Sequence, residues 1–481
     1  MVLLLSLFIG SFLVYTKTDA SLQNLWKNQT LEGLKHFIAV KSLSPDFDKD
    51  WEEHGELLRA LKEAQAFAIA QLKEIHLKIL EAKGKTPLLF FEIPATENSK
   101  AHGDVLFYGH MDKQPASDNW NNNRSAFVPS IENGMLYGRG AADDGYSFYA
   151  AISIAKALEE SGEGHPRFFG IFETAEESGS GDFPFWIHLL SERFTSVSLV
   201  LVLDAGCIDY KHLCITTNFR GVLGTTLKVS VLEHGVHSGT ASGIVPDSFM
   251  IARHLLDRLE DSGTGKILEK TFYATEIPPA RITQIQEKAR VVRQVENDFP
   301  WIDKPVMRSA NAEEALLAQT WLPQLAIIGA DGIPTIGAGG NVLRSDTALR
   351  LSIRLPPTVN PDAAQKALEK TLLSDPPFGA KVEMLGTYSF KGWDAPAEAD
   401  WFTQIVKEAS TEVFDSPAIY SGEGGSLSIF DTLEAACPAA QFLLTGVLGP
   451  HSNAHGPDEA LHLEYVENLC RALARIVSRL P

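Results

Sequence analysis

The stretch Val105-Leu-Phe-Tyr-Gly-His-Met-Asp112 sets four apolar residues against a His-x-Asp pair. A run that short and that apolar reads as a buried strand, and the polar pair opens the loop that leaves it. The same figure recurs twice. Phe168-Phe-Gly-Ile-Phe172 is followed by Glu176-Glu177, and Leu199-Val-Leu-Val-Leu203 by Asp204. Leu88–Ile93 and Gln441–Thr445 read as further strands, with helical patterns at Tyr149–Glu160 and Trp401–Phe414. Strands alternating with helices predict an α/β sheet with helices layered on its faces. In open sheets of this kind, loops leaving adjacent strands converge at the C-terminal edge, and ligands bind there.

Working outward, Trp26–Val40 and Glu53–Lys83 carry helical periodicity, as does the closing stretch Glu459–Leu480. From about Thr217 the texture changes. Gly224–Val231 and Thr347–Arg354 alternate polar and apolar residues, as half-exposed antiparallel strands do, with helical stretches Ser248–Glu260 and Ala312–Gln319 between them. This predicts an inserted α+β domain over 217–395, between catalytic-domain segments 21–216 and 396–481. Residues 1–20 stand apart. Val2–Val14 is almost wholly apolar, near the length of a signal-peptide core and short of the ~20 residues that span a bilayer. We read it as an export signal or an N-terminal membrane anchor, with a cytoplasmic protein as the alternative.

The 481 residues are 44% hydrophobic and exceed one ordinary core. A net charge of -19 argues against a nucleic-acid partner, since phosphate binding needs a basic patch. Cys207, Cys214, Cys437 and Cys470 form no Cys-x-x-Cys pair, which disfavours a structural zinc site or a disulfide framework.

Asp143 sits in the Gly-rich loop Gly138-Arg-Gly-Ala-Ala-Asp-Asp-Gly145 ahead of a helix, and His455 in the loop before the last helix. Each of these residues alone has a bland explanation: a surface hydrogen bond for His-x-Asp, a helix N-cap for Asp143-Asp144, a solvated helix start for Glu176-Glu177. Their conjunction at one sheet edge carries the argument. Mixed imidazole and carboxylate ligands suit zinc, manganese or cobalt better than calcium.

In that order and spacing, His110-Met-Asp112, the Gly138–Asp144 loop, Glu176-Glu177, Asp204 and His455 resemble the M20 metallopeptidase family. So does Val236-His-Ser-Gly239, and the likeness spans roughly residues 30–481. The resemblance implies a zinc-exopeptidase-like three-layer catalytic domain with an inserted α+β lid and dimerisation domain, and hence a homodimer. It implies that Asp143 bridges two divalent ions, with His110 and Asp204 on one, and Glu177 and His455 on the other. Glu176 would be the general base, Asp112 would orient His110, and the Asp143–Asp144 peptide would be cis. His237 would reach the partner subunit's site as an oxyanion donor, and Arg354 would grip a substrate carboxylate. Glu423, Gly425 and Ser426, in Ser421-Gly-Glu-Gly-Gly-Ser426, would form a substrate-binding loop. One departure is Gly145-Tyr146, where the family's commonest form has Lys-Gly. His451 competes with His455, but Ala454–Glu459 fits the motif better.

An Asp at the position of Asp204 tends to accompany peptidases in that family, and Glu deacylases. The sequence therefore points to an enzyme cleaving dipeptides or small peptides. N-acyl amino acid deacylation is the alternative, and a non-catalytic peptide-binding protein on the same fold a second. The first two classes of substrate both carry a free carboxylate.

Overall fold

The computed structural model describes residues 15–481. The apolar run 2–14 lies outside the described residues. No helix among the described residues is long and apolar enough to cross a membrane.

The chain divides into two compact units. Among the described residues the first comprises 15–216, 396–419 and 429–481, and the second 217–395 with 420–428. The short segment 420–428 thus joins the second unit, where the sequence reading left it with the catalytic segment 396–481.

The first unit is built on strands β1 (His76–Ala82), β2 (Lys85–Ile93), β3 (Asp104–His110), β4 (Phe168–Glu173), β5 (Val197–Val202), β6 (Cys214–Phe219) and β7 (Gln441–Leu444). Their order across the sheet is β1-β2-β4-β3-β5-β7-β6. The central run β4-β3-β5-β7 is parallel throughout, with His110 opposite Glu173 and Leu444 opposite Val202. Strands β2, β3 and β4 are buried almost end to end, as a parallel core covered on both faces requires. Helices Lys17–Leu25, Glu56–Gln71, Tyr146–Ser161, Asp400–Phe414 and Leu463–Ser478 pack on one another, and Phe183–Leu190 packs with Phe430–Ala436. Helix Tyr146–Ser161 is buried along most of its length, its alanines at 150, 151, 155 and 157 allowing close approach. It stops at Gly162, whose φ of 76° suits a helix C-terminus.

Two readings from periodicity need correction. The helical pattern over Glu53–Lys83 ends at Gln71, and His76–Ala82 is the antiparallel edge strand β1, joined to β2 through Gly84 at φ 68°. Its Leu, Lys, Glu and Ala favour helix, but pairing with β2 overrides propensity. The closing helix begins at Leu463 rather than Glu459. Ala460–His462 instead pairs with Met135–Tyr137, and His462 Nδ1 caps the helix by accepting from the Tyr465 N–H at 3.1 Å. That frees Glu459 for the loop.

The second unit carries a four-stranded antiparallel sheet in the order Gln324–Asp331, Asp346–Leu355, Gly221–Ser230, Lys381–Phe390. One face is apolar: Leu223, Leu227, Leu351 and Ile353 pack with Ile251, Leu255, Leu368 and Leu372 from helices Ser248–Leu256 and Pro361–Leu373. A smaller cluster of Ile285, Val295, Leu316 and Trp321 joins helices Pro279–Val292 and Ala312–Trp321.

The first described helix is pinned to the last. Asp19, on Lys17–Leu25, takes two hydrogen bonds of 2.8 Å from Arg475 on Leu463–Ser478, and both groups are buried. The sequence sets residues 1–20 apart as a signal or anchor candidate, but Thr18 and Asp19 lie in the core. Burial alone would raise the Asp19 carboxyl; the Arg475 hydrogen bonds and the Thr16 N–H outweigh it and leave the group below its ordinary value. Asp19→Asn is expected to cost ~1–3 kcal/mol, because Arg475 loses one buried counter-charge while Glu412 stays 2.9 Å from its Nε. Because the folded carboxyl titrates below its unfolded value, this stabilisation is complete above about pH 4 and fades as pH falls through the folded pKa. Denaturant titrations of both proteins from pH 7 down to pH 3 should therefore show the gap narrowing.

Candidate metal centre

Strands β3, β4 and β5 are adjacent and parallel, so their C-terminal ends lie side by side. His110 is the last residue of β3. Glu176 and Glu177 form a 3-10 turn after β4, and Asp204 lies two residues past β5. Asp143 comes from the loop before helix Tyr146–Ser161, and His455 from the loop that follows β7.

The Asp143 carboxylate is the centre of this group. Its Oδ1 lies 3.2 Å from His110 Nε2 and its Oδ2 3.0 Å from His455 Nε2. His455 Nε2 is also 3.2 Å from Glu177 Oε2. His110 Nε2 is 3.8 Å from Glu176 and 3.9 Å from Asp204. Two overlapping sets could each hold a cation: His110, Glu176 and Asp204, and His110, Asp143 and Glu177. All six side chains belong to the first unit. His451 makes none of these contacts. The Asp143–Asp144 peptide is cis.

The charge of this cluster is unbalanced. Four carboxylates face two imidazoles in a largely buried space. Burial, only partly relieved by His110, and repulsion from Asp204 and Glu177 push the Glu176 carboxyl well above its ordinary value. Burial, with Asp143 next in weight, lifts Glu177 to about 8, and burial lifts Asp204 to about 6. Asp143 goes the other way: burial opposes its ionisation, but hydrogen bonds from His110 and His455 hold it well below the usual range. An ensemble of carboxylates that repel one another in low dielectric is stabilised by divalent cations. The donor set therefore fits two metal ions.

The surrounding residues hold this set in place. Asp112 Oδ1 and Oδ2 accept the backbone N–H groups of Glu176 and Glu177 at 3.2 and 3.1 Å. His110 Nδ1 faces the Asp112 backbone carbonyl at 3.2 Å and its carboxylate at 3.4 Å. Asp112 thus fixes the β3 imidazole and the β4 glutamates together. Asp144 Oδ2 accepts the His110 backbone N–H, and a Cβ on Gly109 would lie only 2.6 Å from that oxygen.

Four supporting residues escaped the sequence reading. Gln114 donates to Glu177 Oε2 at 2.6 Å. Glu459 Oε1 accepts the backbone N–H groups of Gly140, Ala142 and Asp143 at 3.0–3.2 Å, while its Oε2 takes Arg139 at 2.7 Å. Lys113 is wholly buried and donates to the carbonyls of Phe37 and Val40 at 2.7 Å, with its ammonium 3.9 Å from the Phe37 ring centroid. Arg139 was visible within the Gly-rich loop, but its partner lies 320 positions away.

The remaining predicted residues lie in the second unit. Arg354 Nη1 donates to Ser426 Oγ at 2.8 Å, and the Gly425 carbonyl accepts the Arg220 backbone N–H at 3.0 Å. Glu423 is part-buried in the same loop. Burial raises its carboxyl, and Lys288 partly offsets that. His237 is exposed on a two-residue strand paired with Val342–Leu343.

Known proteins resemble this chain in sequence and in fold. The family described as peptidase family M20/M25/M40 matches residues 106–479. The cysteinylglycine-S-conjugate dipeptidase of Corynebacterium striatum is 26% identical over 78% of this chain and 80% of its own length. The Cys-Gly metallodipeptidase of Candida albicans is 25% identical over 93% of each. Human carnosine dipeptidase 1 shares the fold at a TM-score of 0.74 and 21% identity, covering 96% of this chain and 98% of the other.

If Glu459 shapes the Asp143 loop, Glu459→Gln should weaken retention of divalent metal by roughly 10–100-fold, as loss of a residue that orients a ligand commonly does. Competition with a chelator measures it, with a thermal melt confirming that the variant is folded.

Proposed function

The chain belongs to peptidase family M20/M25/M40, and on that premise we propose that it is a two-metal dipeptidase or small-peptide exopeptidase, with zinc as the native ion and manganese or cobalt as substitutes. The observation that carries this reading is the Asp143 carboxylate, whose two oxygens face His110 and His455 separately. That is the placement a carboxylate shared by two ions needs. Asp143, His110 and Asp204 would hold one ion, and Asp143, Glu177 and His455 the other.

Amides resist hydrolysis because water is a weak nucleophile and the amine a poor leaving group. Divalent ions in such a site supply Lewis acidity and lower the pKa of water. Glu176 takes the proton from the attacking water and returns it to the departing amine nitrogen, which requires a carboxylate not consumed as a ligand. Asp112 accepts the backbone N–H groups of both Glu176 and Glu177; on this reading Glu177 would serve the ions, and Glu176, although its carboxylate lies with His110 and Asp204, would be left for the water. Arg354 takes the free carboxylate of the substrate through a planar fork of donors. His237, contributed by a second copy, donates to the oxyanion.

The second copy is itself part of the proposal. Strand Gln324–Asp331 ends the four-stranded sheet, so one of its sides is unpaired. Ile327 and Ile328 on it are 45% and 61% exposed. An open apolar edge invites strand pairing, and a homodimer through the second unit would cover it. Location outside the cytoplasm, by export or anchoring, rests on residues 2–14 alone.

Three measurements test the reading. With zinc or manganese added, dipeptides should be cleaved in preference to acetylated or succinylated amino acids; the reverse order would make it a deacylase. Metal-replete binding of peptides without turnover would leave a binding protein. Glu176→Gln should keep its metal and lose at least ~100-fold in kcat, as removal of a general base does, whereas Glu177→Gln should lose metal first. Full activity in metal-loaded Glu176→Gln removes that residue from the role. Replacing Ile327 and Ile328 together by Lys should shift sedimentation from dimer to monomer.

A further inference from the structure

Four arginines are buried among the described residues: Arg139, Arg220, Arg281 and Arg475. Three of them meet an acid. Arg139 pairs with Glu459, Arg281 with Asp394 and Arg475 with Asp19, at 2.7–2.8 Å. Arg220, only 9% exposed, does not. Its Nε donates to the Gly424 carbonyl at 3.0 Å, its backbone N–H to the Gly425 carbonyl at 3.0 Å, and its Nη1 is buried with no partner. A Cβ on Gly424 would come within 3.3 Å of Nη2, so the loop backbone lies against the guanidinium.

The nearest cation in register is Arg354. It pairs across the sheet with Val222, two residues from Arg220. Ser426 links the two: its hydroxyl accepts from Arg354 Nη1 and donates to the Arg220 carbonyl. Burial, then the charge of Arg354, push Arg220 down to about 10, and no carboxylate offsets them. Glu423 is the obvious candidate in the same loop, but the cation that acts on it is Lys288. One carbonyl and one hydroxyl solvate these guanidiniums without neutralising them. An arginine cannot shed its proton to escape, so the unbalanced charge is held for something outside the chain.

We propose that Arg220 and Arg354 together form a dianion subsite for the C-terminal residue of the substrate, so that dipeptides ending in aspartate or glutamate are preferred. A lone α-carboxylate would balance one guanidinium and leave the other buried and unmatched; an acidic side chain supplies the second charge. This rests on the dipeptidase reading and deepens it. Arg354 meets the α-carboxylate, and Arg220 is the specificity-determining residue.

The test compares Ala-Glu with Ala-Gln, which differ in one charge and little in shape, on the metal-loaded protein. Ala-Glu should lead by roughly tenfold or more in kcat/KM, the usual worth of a charge-assisted hydrogen bond. Arg220→Gln should bring that ratio to about one, and Arg220→Lys should keep part of it. A wild-type ratio near one, or a ratio unchanged in Arg220→Gln, overturns the proposal while leaving a dipeptidase. If no dipeptide is cleaved, the functional reading fails separately, and calorimetry decides the subsite. Glutarate should then bind more tightly than butyrate to the wild-type protein, with the advantage lost in Arg220→Gln; equal binding overturns it. Should Arg220→Gln fail to fold by thermal melt, the wild-type ratio and Arg220→Lys carry the decision.

Discussion

Glu459 holds the loop on which the metal centre depends. One of its oxygens accepts three N–H groups of a single loop, at Gly140, Ala142 and Asp143, and the other is clamped by Arg139. Arg139 in turn donates to the carbonyls of Pro115 and Gly456, so three separate loops share one guanidinium. A carboxylate that accepts several backbone donors rigidifies the chain around it, and burial makes each of those bonds expensive to break. The result is that Asp143 enters the site from a fixed backbone, although the residues it must meet come from strands hundreds of positions apart. The cluster needs that fixity. Mutual repulsion among Asp143, Glu176, Glu177 and Asp204 would splay flexible loops apart before any cation arrived.

Topology does the rest. Because β4, β3 and β5 run parallel side by side, three unrelated strand ends deliver His110, the Glu176-Glu177 turn and Asp204 to one edge. Asp112 then couples two of these ends directly, accepting the N–H groups of both glutamates. Asp112 is wholly buried and committed to these backbone donors, so its place is to support the site.

What could be read from the sequence follows the same division. Strands β2 to β5 and β7 were legible because each is a short apolar run; His110, Glu176, Glu177 and Asp204 stood out as candidates because each follows such a run, and Asp143 because of its Gly-rich loop. Where local composition and tertiary pairing disagree, reading failed. His76–Ala82 has a helix former's composition but is held as an edge strand by β2, and Ala460–His462 was absorbed into a helix because its partner strand, Met135–Tyr137, is only three residues long. Glu459, Gln114 and Arg220 were missed for another reason. Their importance lies in partners that no periodicity encodes, such as the backbone N–H groups of a distant loop. The segment 420–428 resisted division for the same cause: its attachment to the second unit runs through Arg220 and Arg354, residues that sequence proximity cannot associate with it.

Unmatched buried charge connects these observations. Folding tolerates a buried ion when an opposite charge or a full set of hydrogen bonds accompanies it, as for Arg475 with Asp19 and Arg281 with Asp394. Where neither accompanies it, stability alone gives no reason for its retention. The first unit gathers carboxylates in excess of the imidazoles beside them, and the second sets Arg220 beside Arg354 with carbonyl and hydroxyl partners in place of a carboxylate. Opposite in sign, the two anomalies have one physical cause: each is a charge deficit that a bound species removes, by cations in the first case and an anionic peptide end in the second. The energy that the apo protein forgoes in holding these charges unpaired is recovered only on binding, so such sites favour a ligand of the complementary charge over a neutral analogue of the same shape.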